Sequence, residues 1–377
     1  MSWRNLKIYL PLASAFLFII IGIFLVSVFY LGGEDLSSLM SFDKQLHKEV
    51  VLKMNDGNFL PTNKKEDIIL LFGGDVMLSR TVNAKMSTYN NHLWPLESIA
   101  STTAQADITA FNLESPFLKE ANYNVPTGSF SFKANPDSVS SLVSAGADVL
   151  SLANNHIMNM GEKGLFDTIN ILQTNNIMPI GAGTNLADAH AGTIIKRNHW
   201  RIGFLAYAYP NDSSVATETR PGIANMNLEE LKKDIEGLQP QVDLIVVMMH
   251  AGVEYVSKPN AYQLEFAHAA IDDGADLVIG HHSHWLQSWE VYKGKPIFYS
   301  LGNLVFDQMW SPATSHGLLL RLNFKEDLSG QAEFIPISIS DYGQAHVITD
   351  EGKIDHFWQL YDLPRTDTLI WTGKDGN

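Results

Sequence analysis

Apolar residues follow three patterns along this 377-residue chain, and the first is a long uncharged stretch near the N-terminus. Residues 8–33 contain no charged side chain, and Arg4 and Lys7 precede them. At 1.5 Å per residue, one helix of this length crosses a hydrocarbon layer of about 30 Å. The length of the stretch, together with bulky residues at 29–31 where a cleavage site needs small ones, favours an uncleaved anchor over a signal peptide.

The charges on either side of this stretch predict its orientation. Basic residues precede it, and Glu34 and Asp35 follow it, so we expect the N-terminus in the cytoplasm and the rest of the chain outside. Residues 34–67 are mixed and polar and include Gly57 and Pro61, which is typical of a stalk.

From residue 68 onward, short apolar runs alternate with stretches of helical spacing, which is the second pattern. This alternation predicts stacked βα units and an α/β fold. Near the C-terminal end a third pattern of paired apolar runs predicts β-hairpins. The predicted strands are 68–72, 107–111, 149–153, 202–207, 244–249 and 276–279, the helices 137–147, 164–174 and 261–271, and the hairpins 289–299 and 318–339.

Composition excludes several functional classes. The formal net charge is −15, which argues against a nucleic-acid partner because such binding depends on clusters of Lys and Arg. The chain has no cysteine, so disulfides, thiolate metal sites and cysteine nucleophiles are excluded. It also lacks a P-loop and a Gly-x-Ser-x-Gly elbow, which argues against a P-loop nucleotide hydrolase and a serine hydrolase.

The densest chemical motif is a cluster of three histidines within residues 281–284, directly after a predicted strand. Ligands bind at strand ends in open α/β sheets. On an extended chain alternate residues point the same way, so we expect His282 and His284 to share one target and His281 to face elsewhere. The cluster favours a metal or phosphate site over a polar loop whose histidines bond to their neighbours.

Four further predicted strands also end in residues that can bind metals. One such residue is usually a cap or a turn former, but five endings in one chain indicate a common site, because parallel strands end on the same side of a sheet. Carboxylates with imidazoles suit Mn, Fe or Zn, and two ions about 3.5–4 Å apart form a clamp for phosphate-ester displacement. The endings are Asp75, Asn112 with Glu114, Asn155 with His156, His250 with Glu254, and His282 with His284.

These motifs resemble those of the poly-γ-glutamate capsule synthesis proteins of the CapA (PgsA) type, a family that is similar in turn to the calcineurin-like metallophosphoesterases. The resemblance extends over about residues 68–342, with the motifs in family order. It implies a four-layer α/β/β/α metallophosphoesterase-like sandwich at 68–345, preceded by an anchor at 1–33 and a stalk at 34–67 and followed by a tail at 346–377. The motifs are GGDVMLSR at 73–80, NLE at 112–114, ANNH at 153–156, GHHSH at 280–284 and YSLGNLVFDQ at 299–308.

The resemblance also implies roles for individual residues. Asn155 and His156 would be the catalytic pair. The divalent metal ligands would be Asp75, Glu114, Asn155, His250, His282 and His284. Residues that contact substrate or orient ligands would be Arg80, Asn112, Lys133, Glu254, His281, Asn303 and Asp307.

Two positions depart from the phosphoesterase pattern. Met77 occupies the histidine position of the Asp-x-His motif, and Glu114 stands in place of an aspartate. A thioether is a poor ligand for a hard ion, so we expect one metal position to be weakened or absent.

Two functions remain open. The first is a single-pass component of poly-γ-glutamate biosynthesis and export at the bacterial cell membrane, anchored in the bilayer through residues 8–33. Its partners would be the polymer and membrane-bound synthesis and export subunits. The alternative is a metal-dependent hydrolase, of the phosphoesterase or amidase type, acting on another cell-envelope substrate. Because the chain is acidic, polymer contact has to be local, through metal or a groove of Arg and Lys.

Overall fold

In the computed structural model, residues 65–120, 130–209 and 214–373 are described. The helices there are α1 (Arg80–Tyr89), α2 (Trp94–Glu97), α3 (Ala100–Thr103), α4 (Val139–Ser144), α5 (Gly161–Thr174), α6 (Leu186–His190), α7 (Leu228–Leu238), α8 (Ala261–Asp273) and α9 (Glu351–Gln359). The strands are β1 (Ile68–Val76), β2 (Ile108–Leu113), β3 (Val149–Ser151), β4 (Met178–Ile180), β5 (Ala182–Gly183), β6 (Thr193–Arg197), β7 (Trp200–Ala208), β8 (Gly222–Ile223), β9 (Leu244–His250), β10 (Leu277–His281), β11 (Trp289–Tyr292), β12 (Lys295–Phe298), β13 (Asn303–Val305), β14 (His316–Phe324), β15 (Gly330–Ser340), β16 (Gln344–Val347) and β17 (Thr368–Trp371).

The first sheet contains nine of these strands, in the order β16-β15-β14-β1-β2-β3-β4, with β13 beside β1 and β17 beside β15. Strands β1 to β4 run parallel, whereas β14, β15 and β16 form antiparallel pairs on the other side of β1. The C-terminal end of β1 therefore lies between β2 and the parallel strand β13.

The second sheet contains six strands in the order β11-β12-β10-β9-β7-β6. Its four central strands are parallel, and the edge strands β6 and β11 are antiparallel to their neighbours. Both sheets thus contain parallel strands whose C-terminal ends can carry a site.

Side-chain alternation in the second sheet separates two apolar cores. Phe204 of β7 and Val246 of β9 join a cluster that includes Phe72 of the first sheet. The alternate residues Leu205 and Val247 join a second cluster with α7 and α8. The second sheet therefore has one face toward the first sheet and the other toward helices, which is why its strands are almost continuously apolar.

The helices begin where polar caps allow them to begin. The Asn260 side chain accepts a hydrogen bond from the Gln263 backbone N–H, and the Gln263 side chain bonds back to the Asn260 N–H, so α8 starts with a capping box. The Asn227 side chain caps α7 by accepting from the backbone N–H groups of Glu229 and Glu230. These caps fix the helices that cover the second apolar core.

The sequence predicts half of these elements, including the central strands of both sheets. The six predicted strands correspond to β1, β2, β3, β7, β9 and β10, and the two hairpins to β11–β12 and β14–β15. The mixed α/β class is confirmed. The predicted helix at 137–147 is shorter, because α4 ends at Ser144 and a 3₁₀ turn precedes it.

The segment 346–377 is predicted as a tail, and its described part is packed into the fold. Strand β17 pairs with β15, and Trp358 and Trp371 are buried. Burial of two indole rings explains why this segment is held against the sheet.

The predicted anchor at 8–33 and most of the predicted stalk lie outside the described residues. Within the ranges given above, no helix combines the length and apolar character needed to span a membrane.

Candidate metal centre

The ends of four strands meet at one place. In the first sheet, Asp75 of β1 is level with Asn112 of β2 and with Asn303 of β13. In the second sheet, His250 at the end of β9 is level with His281 at the end of β10. The predicted convergence of strand endings is therefore present, and it joins the ends of both sheets.

The first group of potential ligands consists of Glu114, His250 and His282, whose nearest donor atoms all lie within 4.8 Å of one another. The Nε2 atom of His250 lies 3.1 Å from His282 Nδ1 and 3.5 Å from Glu114 Oε1. Asn155 Oδ1 is 2.9 Å from the same Nε2 atom. Asn155 therefore adds an oxygen at this position, where the resemblance implies a ligand.

The second group consists of Asp75, Glu114 and His284, again with donor atoms within 4.8 Å. His284 Nδ1 lies 3.4 Å from Asp75 Oδ2, and His281 Nδ1 lies 3.4 Å from Asp75 Oδ1. Glu114 belongs to both groups, so its carboxylate is placed to bridge two ions.

The burial of Glu114 tests whether these residues fit a divalent ion. Its side chain is fully buried, and neither carboxylate oxygen has a hydrogen-bond partner among the described residues. An ionised carboxylate in such a position is costly unless a cation or donors compensate it. The mixture of carboxylates and imidazoles suits Mn, Fe or Zn, so the residues fit. Bound there, two such ions supply Lewis-acid polarisation of a phosphoryl or carbonyl oxygen.

Burial also sets the protonation of the first group. It lowers the pKa of His250 well below its ordinary value, with His282 adding a repulsive contribution, and it lowers the pKa of His282 likewise. Both imidazoles are therefore neutral near pH 7, which is the form that binds metals.

In the second group the pKa values of Glu114 and His284 are raised, not lowered. Burial and the charge of Asp75 raise the pKa of Glu114 well above its ordinary value. For His284 burial alone would lower the pKa, but Glu114 and Asp75 outweigh it and raise the pKa to about 9. The acidic side chains thus favour a positive charge at His284.

Two asparagines contact the candidate ligands, and a third contacts one of these two. Asn112 donates to Asp75 Oδ1 at 2.8 Å, and the same amide nitrogen lies 3.2 Å from His250 Nδ1. Asn154 donates to Asn112 Oδ1 at 3.2 Å, and Asn303 Oδ1 lies 3.0 Å from His284 Nδ1. Such partners fix the rotamers of ligands, so Asn112 and Asn303 stand where an orienting role requires them.

The alternation expected for the histidine cluster is wrong. His281 is the last residue of β10 and faces Asp75 instead of pointing away from it. His282 and His284 belong to different ligand groups. The physical reason is the backbone, because φ is 93° at His282 and 56° at His284, which ends the extended conformation that alternation requires.

His156 lies at the edge of the centre, with its Nε2 atom 4.0 Å from Glu114 Oε1. Its Nδ1 atom lies 3.0 Å from Asn159 Oδ1, and its ring lies 4.0 Å from that of Phe132, centroid to centroid. Burial lowers its pKa to about 4, so the imidazole is neutral near pH 7. Phe132 and Asn159 were not predicted, since they belong to no strand ending or recognisable motif.

Met77 is packed as an apolar side chain. It is fully buried in the first apolar cluster, and its sulfur accepts a hydrogen bond from the Ser79 backbone N–H at 3.1 Å. The second ligand group contains three acidic or histidine side chains besides it. A weakened metal position remains a prediction that metal analysis has to test.

The remaining predicted residues have partners of their own or act on the centre through their charge. Arg80 forms an ion pair with Asp307, and its guanidinium lies 4.8 Å from the Phe132 ring. Glu254 is close enough for its charge to raise the pKa of Glu114, after burial and Asp75. Lys133 does not contact the ligands, and its ammonium donates to the Glu120 carbonyl at 3.0 Å.

Replacing His282 with alanine is expected to lower the number of bound divalent ions from two to one. The first group loses an imidazole, whereas Asp75, Glu114 and His284 are retained. Elemental analysis of the full-length chain purified in detergent measures this number. His268→Ala is the matched control, because its imidazole contacts Glu290 at 2.8 Å outside the centre. Retention of both ions by His282→Ala would show that the first group is not a metal site.

The sequence was compared with known families and proteins. Residues 69–308 match the family described as bacterial capsule synthesis protein PGA_cap. The chain belongs to this family. The resemblance recognised from the motifs is thereby confirmed.

Relatives of known name agree with this family. The chain is 30% identical over 319 residues to the capsule biosynthesis protein CapA of Bacillus anthracis, covering 83% of this chain and 77% of the relative. It is 32% identical over 307 residues to the PGA biosynthesis protein CapA of Bacillus subtilis, covering 81% and 80%. Among solved structures, a 5′-nucleotidase precursor from Thermus thermophilus is similar over 78% of this chain and 58% of its own length, with 13% identity and a TM-score of 0.45.

Proposed function

We propose that this protein is a membrane-anchored, extracytoplasmic component of poly-γ-glutamate capsule biosynthesis and export, with a two-ion metal centre. The observation that carries the proposal is the fully buried carboxylate of Glu114, shared by two ligand groups in a chain of the capsule synthesis family. The relatives named for capsule and PGA biosynthesis support the pathway.

The proposal includes the scaffold and the location. The scaffold of the proposal is a four-layer α/β/β/α sandwich of the metallophosphoesterase type at 68–345, and the two sheets with helices packed on the second of them support it. Residues 8–33 would hold the chain in the bilayer with the N-terminus in the cytoplasm. The partners would then be the polymer and membrane-bound synthesis and export subunits, with no nucleic acid.

A second function, metal-dependent hydrolysis of a phosphate ester or amide in the cell envelope, is favoured by one observation. His156 presents its Nε2 atom 4.0 Å from Glu114 Oε1, at the edge of the ligand groups. Stacking on Phe132 and the contact with Asn159 hold the ring in that orientation. An oriented imidazole beside a metal pair is the arrangement of a general acid or base.

The experiment replaces the gene in a capsule-forming host with variants of the full-length chain and measures polymer on the cell surface. His250→Ala removes the imidazole at the centre of the first ligand group and is expected to reduce surface polymer by at least about tenfold. The control His268→Ala is expected to leave the polymer unchanged. Normal capsule with the His250→Ala variant, or a purified chain without metal, would contradict the proposal.

Turnover distinguishes the two functions. The purified chain is incubated with phosphomonoesters, phosphodiesters and γ-glutamyl polymer in the presence of Mn²⁺ or Zn²⁺. Turnover that His156→Ala abolishes while the metal content is unchanged would support the hydrolase. Full metal occupancy without turnover, together with loss of capsule in His250→Ala, supports the biosynthetic component.

A further inference from the structure

A cleft of about 560 Å³ lies at the start of α1. Its walls include Ser79 and Arg80 from the start of α1, together with Lys119 and Lys133. The volume is within the range of sites that hold small ligands or a few residues of a polymer. Neither the proposed metal site nor its orienting residues account for the two lysines.

Paired backbone segments bring the lysines to the same cleft. Phe117 and Ala134 form a parallel β-bridge, and Ala134 N–H donates to the Pro116 carbonyl at 2.8 Å. Lys133 N–H donates to Ser79 Oγ at 2.8 Å, which ties this segment to the start of α1. Lys119 and Lys133 are therefore held on neighbouring backbone segments that form the wall of the cleft.

In the part of the chain that the structure describes, the two lysines of the cleft differ from its arginine in having no ion-pair partner. Arg80 is paired with Asp307, and Asp167 Oδ2 accepts a hydrogen bond from the Lys119 backbone N–H at 3.0 Å. Within the described ranges, neither the Lys119 nor the Lys133 ammonium takes part in a salt bridge, although Glu120 is among the lining residues. Glu120 instead lies 3.7 Å from Lys163, both of them exposed. In a chain of net charge −15, the cleft thus presents two ammonium groups that form no ion pair among the described residues.

Phe132 connects the cleft with the metal centre. Its ring centroid is 4.0 Å from that of His156 and 4.8 Å from the guanidinium carbon of Arg80. Arg80 is fixed there by its ion pair with Asp307. The Phe132 ring is therefore in contact both with Arg80 of the cleft wall and with His156.

We propose that this cleft binds a linear polycarboxylate, with successive carboxylates on Lys119 and Lys133 and the chain running toward the metal centre. The assignment rests on the proposed function, which makes poly-γ-glutamate the polymer. Two point charges suit spaced carboxylates. The side-chain amides of Asn83 and Asn135, which also line the cleft, can bond the peptide groups between them.

The test measures binding of a fluorescently labelled γ-glutamyl oligomer to the full-length chain in detergent, by anisotropy at two salt concentrations. The double variant Lys119→Ala/Lys133→Ala is expected to raise Kd by about tenfold and to weaken the salt dependence. Metal content is expected to stay unchanged, since neither lysine contacts a ligand residue.

The control is Lys196→Ala/Lys325→Ala, which removes the same charge from the opposite ends of the sheets. In the strand register, Lys196 of β6 lies opposite Arg201 near the start of β7. Lys325 follows Phe324, which lies opposite Ile68 at the start of β1. This control is expected to change Kd by less than about twofold. Equal weakening by both double variants would show a general charge effect and overturn the cleft assignment.

Other outcomes distinguish failure of the cleft assignment from failure of the proposed function. An unchanged Kd in Lys119→Ala/Lys133→Ala overturns the assignment of the cleft as the polymer site, and the proposed function survives if His250→Ala still loses capsule. Absence of oligomer binding by the unaltered chain also overturns the assignment of the cleft as the polymer site. Inorganic polyphosphate serves as a competitor, and tighter lysine-dependent binding of polyphosphate than of the oligomer would overturn the polycarboxylate assignment.

Discussion

Replacing Glu114 with glutamine is expected to remove both divalent ions from the protein. Its carboxylate belongs to both ligand groups, whereas each histidine in those groups belongs to one. An amide lacks the charge that a bridging ligand supplies, so neither ion retains its full set. Capsule on the cell surface is expected to be lost with the metal.

The same substitution is expected to change stability in opposite directions with and without metal. At a free ion concentration about 1,000 times Kd, binding stabilises the native state by about 4 kcal/mol, and Glu114→Gln loses this contribution. In the metal-free protein the variant is expected to be as stable as the unaltered chain or more stable, because an unpartnered buried carboxylate has been removed.

Thermal unfolding of the full-length chain in detergent, with metal and with chelator, measures both effects. The loss with metal is expected to be on the order of 10 °C. Glu265→Gln, an exposed change on α8, is the control and is expected to leave both temperatures unchanged. A Glu114→Gln variant that binds metal normally, or that is destabilised equally in both conditions, would contradict the assignment of Glu114 as the shared ligand.

Replacing Gly74 with alanine is expected to destabilise the fold and distort the metal centre together. A Cβ atom at Gly74 would lie 2.0 Å from the carbonyl oxygen of Gly302, and 2.8 Å from its carbonyl carbon. Both neighbours are backbone, so β1 and the segment leading to β13 would have to separate. Because Asp75 and Asn303 follow directly in these two segments, their separation also moves a ligand and an orienting residue.

The expected cost of Gly74→Ala is about 3 kcal/mol, within the upper range for overpacking. Chemical unfolding measures it, and elemental analysis measures the accompanying loss of metal. Gly237→Ala is the matched control, because its added Cβ meets nothing within 4 Å and the residue lies inside α7. That control is expected to raise stability by about 0.5–1 kcal/mol. A Gly74→Ala variant with normal stability would show that the two segments can part without cost.

Periodicity was sufficient to predict the long buried strands and three of the helices. The apolar runs at β1, β9 and β10 are typical of strands buried on both faces, and the structure buries both faces against two cores. Periodicity was not sufficient at the C-terminus, where α9 and β17 have mixed patterns. Their place depends on Trp358 and Trp371 fitting against residues that are distant in sequence.

The sequence by itself determined the α/β class, the principal strands, the residue types at the strand ends and the family, because these depend on local patterns and motifs. The tertiary structure alone decided which donors meet. Glu114 is common to both candidate ligand groups because β1 and β2 of one sheet end beside β9 and β10 of the other. The positive φ values at His282 and His284 assigned these residues to different groups. The bridge between Phe117 and Ala134 placed Lys119 and Lys133 in one cleft. Contacts of this kind depend on long-range packing and local backbone conformation, which hydrophobic periodicity does not encode.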